Sequence, residues 1–311
     1  MWINSKSAGT DGMSIRFGVS PIAWINDDMP ELGGDTPLET VLAEARDIGF
    51  TGIELGGKFP RDPQLLAALL SRFQLSLVGG WYSSSLLTRT APQEIAAMRP
   101  HLELLKALKC NVFIQAETSN AIHGDRARPL SATPRLERAQ WSEFGAKLTE
   151  VADHVAAQGL RFAYHHHLGT VVESTEDIES FLKSTGPSVG MTVDTGHAAL
   201  AGVDPIALIR SHPQRVAHVH CKDIRGEVFR GIKTRGESFL RGVLKGMFTV
   251  PGDGDLDFNM VMQALAAISY SGWIIVEAEQ DPAVADPRRY GELGLKSLRR
   301  EAAAAGLRMA E

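Results

Sequence analysis

Val-Gly-Met-Thr-Val-Asp-Thr-Gly-His (189–197) and Val-Ala-His-Val-His-Cys-Lys-Asp (216–223) are the two runs that decide the fold. Residues 189–193 and 216–219 are short, apolar and β-prone, and each reads as a buried strand. Each ends in residues able to hold a metal or move a proton. Asp194 and His197 follow the first, and His220, Lys222 and Asp223 follow the second. Residues 204–209 between them carry a helical pattern. Strand, helix and strand at this spacing make a parallel βαβ unit. Folds built from such units place their sites at the C-terminal ends of the strands.

The unit repeats outward in both directions. Further strands are expected at 15–19, 52–55, 75–78, 112–114, 161–164 and 273–276, and helices at 65–73, 92–108, 136–157, 175–182, 258–268 and 287–305. Another helix opens at Thr36-Pro37, with Thr36 as cap and Pro37 as its first residue, and stops at Gly49. About eight strand–helix alternations predict an α/β chain folded as one (β/α)₈ TIM barrel over residues 13–311. An open doubly wound sheet would carry a Gly-rich phosphate turn after its first strand. Ser20-Pro21-Ile22-Ala23 is not one. Residues 1–12, mostly polar or small, are expected to be a disordered extension.

Composition narrows the function classes. Of 311 residues 44% are hydrophobic and 22% charged, enough apolar material for a large core. A net charge of −5 argues against a nucleic-acid or anionic-membrane partner. No apolar run approaches a membrane span, and no signal-peptide core is visible. Two cysteines, Cys110 and Cys221, are too few for a disulfide framework or a structural zinc site, so a cytoplasmic location is expected.

The chemistry lies in the strand ends: Trp24 and Asn26, Glu54, Trp81, Glu117, His165 to His167, Asp194 and His197, His220 to Asp223, then Glu277 and Glu279. A barrel gathers all of these on one face. Carboxylates with one or two imidazoles form a divalent-metal set, oxygen-rich enough to suit Mn²⁺, Mg²⁺ or Co²⁺. Plainer readings compete. Asp194 could be only a helix N-cap. Lys222-Asp223 could be a surface ion pair. Neighbours on a strand face opposite ways, so at least one of the three histidines should be structural. Several such ends coincide, and that favours a site.

With those residues in hand, the chain resembles the xylose-isomerase-like superfamily of metal-dependent barrels, and within it the inosose dehydratase family. Gly-Val-Ser-Pro-Ile-Ala-Trp (18–24), Tyr-His-His-His-Leu-Gly-Thr-Val-Val-Glu (164–173), Val-Asp-Thr-Gly-His (193–197), His-Val-His-Cys-Lys-Asp-Ile-Arg (218–225), Val-Pro-Gly-Asp-Gly (250–254) and Val-Glu-Ala-Glu-Gln-Asp-Pro (276–282) carry the resemblance. It implies a metal held by residues after the fifth to eighth strands. Asp194, His220 and Glu277 match three of these positions. At the fifth strand many relatives read Glu-Asn-His where this chain has His165-His166-His167, so the resemblance leaves Glu173 or one of those histidines as fourth ligand. Glu173 is the expected one.

The resemblance also implies a carbon–oxygen lyase that dehydrates 2-keto-myo-inositol through an enediolate in myo-inositol catabolism, with Mn²⁺ or Co²⁺ as cofactor. Base and acid would come from Glu173, Glu277, His167 and His197. Trp24, Trp81, His165, Lys222 and Arg225 would contact the polyol ketone. A homo-oligomer is left open. A ketose or keto-inositol isomerase or epimerase would share the metal and return the proton, and a non-enzymatic sugar-binding descendant is the remote alternative. Residues 224–254, long for a βα connection and rich in Gly, Arg and Lys, are expected to act as a lid.

Overall fold

The computed structural model describes residues 14–310, and the extension expected at 1–12 lies outside the described residues. The barrel strands are β1 (Ile15–Val19), β2 (Gly52–Leu55), β3 (Ser76–Ser84), β4 (Val112–Glu117), β5 (Arg161–His165), β6 (Val189–Asp194) and β7 (Val216–Cys221). β8 (Asp223–Ile224) and β9 (Phe248–Thr249) pair antiparallel outside it, and β10 (Gly272–Val276) closes it. All eight barrel strands are parallel; β1 pairs with β10 from Ile15–Gly272 to Val19–Val276 and with β2 on its other edge. The expected single-domain TIM barrel is the fold.

The helices are α1 (Leu38–Ile48), α2 (Pro63–Arg72), α3 (Ala91–Ala107), α4 (Arg138–Ala157), α5 (Thr175–Ser184), α6 (Thr195–Leu200), α7 (Pro205–Ser211), α8 (Gly226–Arg235), α9 (Phe239–Leu244), α10 (Phe258–Ala267) and α11 (Pro287–Ala304). Asp62, Thr90, Ser174, Asp204, Asp257 and Asp286 accept backbone N–H groups at their starts, each worth about 1 kcal/mol. α1 departs from expectation. Pro37 is still extended and makes no side-chain cap, so Thr36 does not cap the helix and Leu38 is its first residue. Gly49 ends it as expected, in the left-handed region at φ 104°.

Apolar side chains fill the barrel rather than a pore. Val78, Trp273 and Ile275 form one lumen cluster, and Val112, Ile114, Ala163 and Ala217 another. The fit is tight: a Cβ on Gly52 would lie 2.6 Å from the Trp273 ring. Residues 224–254 fold back as β8, α8, α9 and β9. Ile224, Phe229, Phe239, Leu240, Val243, Met247 and Phe248 build an apolar cluster there with Met29, Leu168 and Leu200. Asp223 anchors the return, accepting N–H groups from Ile224, Gly252, Gly254 and Leu256. It is therefore no partner in a surface ion pair.

One histidine far from the strand ends makes stability pH-dependent. His101 packs on Tyr82 and Phe113 and reaches the Gly80 carbonyl through Nε2. Burial lowers its pKa to about 4. The unfolded chain therefore binds an extra proton between pH 4 and 6.5, and this contribution, full above pH 6.5, is lost as pH falls. Denaturant midpoints should decline below pH 6.5, by about 2 kcal/mol at pH 5 from this residue. His101→Gln, which keeps a donor for Gly80, should show a shallower decline. An identical pH slope in the variant would reject the assignment.

Candidate active site

Strand register delivers the cluster. Asp194 pairs with His220 across β6–β7, His220 pairs with Ile275 across β7–β10, and His165 at the end of β5 pairs with Thr192. Glu277 lies two residues past Ile275 and so points the same way. A register shift between Met191 and Thr192 of β6, opposite Val216 to His218, interrupts the pairing just before the site.

His220 is the hub. Its Nε2 donates to Glu54 Oε1 at 3.1 Å, and His218 Nε2 donates to the same oxygen at 2.9 Å. That leaves His220 Nδ1 turned toward Glu277 and Asp194. It lies 2.6 Å from Glu277 Oε2 and 3.7 Å from Asp194 Oδ2, and His165 Nε2 lies 3.6 Å from the same Asp194 oxygen. His220 Nδ1 and Asp194 Oδ2 are buried without a hydrogen-bond partner. In the metal-free site a proton on His220 Nδ1 bridges the short contact to Glu277, and a divalent cation would take its place. Bonds of about 2.0–2.3 Å to a shared divalent ion would produce the 3.6 and 3.7 Å separations around Asp194 Oδ2. A carboxylate behind a ligand histidine, as Glu54 stands behind His220, is the usual supporting arrangement. Burial disfavours charge on the His220 imidazole, yet Glu277 and Glu54 outweigh it and hold its pKa well above the ordinary value. The residues present fit a divalent cation.

Asp194 reconciles two readings that compete in the sequence. Its Oδ1 accepts the His197 N–H at 2.8 Å and caps α6, while Oδ2 turns to the cluster. Lys222 lies beneath, wholly buried, with Nζ 2.8 Å from Glu277 Oε1, 2.6 Å from Glu279 Oε1 and 3.5 Å from Asp194 Oδ2. Burial opposes its charge, but these three carboxylates hold it protonated, above the ordinary lysine value. His197 is neutral. Burial and then Lys222 lower its pKa, Leu168 N–H donates to Nδ1, and Nε2 lies 3.3 Å from Glu279 Oε1. His167, His197 and Glu279 also cluster closely enough for a metal. The ammonium of Lys222, 2.6 Å from Glu279 and 3.0 Å from His197 Nε2, already supplies the positive charge there.

Above the cluster opens a cavity of about 380 Å³. Glu54, His165, His167, His220, Glu277 and Glu279 line it, with Trp81, His123 and Asp28 on its walls. Trp81 is 37% exposed, and its ring stands edge-on to His123, His165 and His167. His167 Nδ1 lies 2.7 Å from the Leu168 carbonyl, an arrangement that puts the proton on Nδ1 and leaves Nε2 as a lone pair. Burial, then His197 and His123, keep the ring neutral. His166 is the structural member of the triplet. It accepts the Asp194 N–H through Nε2, and burial lowers its pKa to about 3.

Five expected residues stand elsewhere. Glu173 accepts from Gly169 N and Thr133 Oγ1 and lines a separate cavity with Arg135 and Lys233, because the chain turns at 167–172 before reaching it. Trp24 is core, its indole N–H donating to Glu44. Arg225 binds Asp253, Thr249 and the Gly246 carbonyl and so ties the 224–254 segment together. Lys222 and His197 lie under the cavity floor and do not line it. Sequence reasoning passed over Asp28 and His218 and gave Glu54 and Glu279 no role. The alternations Glu277-x-Glu279 and His218-x-His220 were the available signal.

The fold and this cluster agree with comparisons to known proteins. The family model described as a xylose isomerase-like TIM barrel matches residues 42–301, and the chain belongs to that family. A solved xylose isomerase domain protein from Alicyclobacillus acidocaldarius superposes with a TM-score of 0.65, at 18% identity, over 94% of this chain and all of that one. At that identity the likeness shows the fold alone. Sequence relatives go further. The rhizopine catabolism protein MocC of Rhizobium meliloti is 46% identical over 96% of this chain and 91% of its own. The inosose dehydratase of Geobacillus thermodenitrificans is 39% identical over 89% and 93%. Within the barrel family, this chain stands with the inosose dehydratases.

Proposed function

We propose that this protein is a hydro-lyase that removes water from 2-keto-myo-inositol, with one divalent cation, Mn²⁺ or Co²⁺, held by His165, Asp194, His220 and Glu277. The observation that carries it is the convergence of His220 Nδ1 and Asp194 Oδ2, two buried atoms without a hydrogen bond, beneath a cavity lined by His165, His220 and Glu277 in a chain akin to inosose dehydratases. When bound, the cation supplies Lewis-acid polarisation of the substrate carbonyl. His167 is the base for the α-proton, with Nε2 free and Nδ1 fixed by the Leu168 carbonyl. Glu277 shares this wall, and Lys222 fixes its Oε1. Trp81 offers its face to the ring, and Phe239 stacks on His197 to hold the floor dry. His197 acts through Lys222 and Glu279 as a positioning residue.

The substrate is a small polyol ketone and no nucleic acid is involved. Both cysteines are buried and unpaired, which fits a cytoplasmic enzyme. Among the described residues no helix is long and apolar enough to cross a membrane.

Purified protein given 2-keto-myo-inositol should release a dione chromophore. Chelation should abolish turnover, and Mn²⁺ or Co²⁺ should restore it. Solvent-proton exchange or ring epimerisation without dione would replace the dehydratase reading with the isomerase one. Glu173→Gln should retain full metal content and lose about 1 kcal/mol of stability, since one acceptor for Gly169 or Thr133 weakens. Metal loss in that variant would return Glu173 to the ligand set.

A further inference from the structure

The loop after β1 carries a carboxyl that the reaction as described does not use. Asn26, fully buried, accepts the N–H groups of Asp28 and Met29 through Oδ1 at 2.9 and 2.8 Å. Asp27 turns the other way, both of its oxygens on the Gly57 N–H. Met29 is buried in the apolar cluster under α9. The backbone on either side of Asp28 is thus pinned. Its own carboxyl makes no side-chain hydrogen bond or ion pair and lines the cavity shared by His165, His167, Glu277 and Trp81.

Resting on the dehydratase reading, we propose that Asp28 is the proton donor to the departing hydroxyl. The α-proton goes to His167, and the electron pair of that C–H bond becomes the new C=C bond. The C–O bond to the β-hydroxyl breaks with its electron pair on oxygen, and Asp28 gives that oxygen its proton, so one water leaves. Solvent at the cavity mouth reprotonates Asp28. Its surroundings keep the proton available. Burial, then Glu279, Asp27 and Glu277, raise the Asp28 pKa to about 7 against the pull of Lys222. A donor with a pKa near the working pH is the most effective one. Glu54, Glu277 and Glu279 face the same cavity but are each held by a histidine ring or the Lys222 ammonium, so none is as free as Asp28 to turn to the departing hydroxyl.

The test compares Asp28→Asn with the wild type on 2-keto-myo-inositol and on the analogue carrying fluoride in place of the departing hydroxyl. Fluoride leaves as an anion and needs no acid. On the natural substrate Asp28→Asn should lose about 10²–10⁴-fold in kcat, with KM little changed because the amide still bonds a ring hydroxyl. On the fluoride analogue the loss should be under about tenfold. The wild-type fall in kcat above pH 7 should vanish in the variant. Equal losses on both substrates, or undiminished turnover of the hydroxyl substrate, would overturn the assignment. A wild type inactive on 2-keto-myo-inositol would instead overturn the dehydratase reading itself.

Discussion

Asp194→Asn is expected to strip the divalent cation from the protein and to cut turnover by about 10³-fold, the size of a lost Lewis-acid contribution of several kcal/mol. The substitution separates the two duties of this side chain. The amide oxygen still accepts the His197 N–H, so α6 keeps its cap, and asparagine is as good a cap as aspartate. The amide nitrogen replaces Oδ2, which takes no hydrogen bond, and a nitrogen bearing two hydrogens cannot ligate. Melting temperature measured in chelator should therefore match the wild type within a few degrees, while metal content collapses. Full metal occupancy in the variant would remove Asp194 from the ligand set. A cooperative unfolding loss without metal loss would make it a cap alone.

That division was half legible. Val-Asp-Thr-Gly-His offered both a cap and a ligand, and one residue letter cannot show that two oxygens of one carboxylate serve separately. The barrel itself was plain, because most strands are short apolar runs followed by a helix with its own start signal. Strand lengths were less so. β3 runs on through Trp81 to Ser84, where glycine, serine and tyrosine break the apolar pattern. The pairing of Trp81 with Ile114 keeps that stretch in the sheet. Residues 224–254 read as a glycine-rich lid with an apolar stripe at near-helical spacing from Phe239 to Phe248. α9 forms on that stripe, while α8 and the two-stranded sheet had no such signal, and the phenylalanines bury against His167 and His197. The site's second layer was the least visible. Glu54 and His218 meet across the barrel lumen, 164 residues apart in sequence, and only closure of the barrel brings them together.

Lys222→Met is expected to destabilise the metal-free protein by about 3–5 kcal/mol, the usual cost of removing one partner from a buried ion cluster. Glu277 Oε1 and Glu279 Oε1 each lose their nearest cation, and Asp194 Oδ2 loses another 3.5 Å away. Asp194 is wholly buried and Glu277 and Glu279 nearly so, so water replaces little of the lost ammonium. Besides the carboxylates the missing ammonium touches His197 Nε2 at 3.0 Å and lies 4.6 Å from the Phe248 ring, and its chain packs on Gly196. A methionine fits that volume, so the loss is one of charge and not of packing. Adding Glu279→Gln to Lys222→Met should recover at least about 1.5 kcal/mol, since it removes the carboxylate most dependent on the lysine. Divalent cation should restore part of the stability of the single variant, because it neutralises Glu277 and Asp194 from above. Denaturant midpoints in chelator and in Mn²⁺, for the single and double variants, decide the matter. A single variant within about 1 kcal/mol of wild type in chelator would mean that the carboxylates take up protons on losing the ammonium, and that the buried lysine is dispensable for folding.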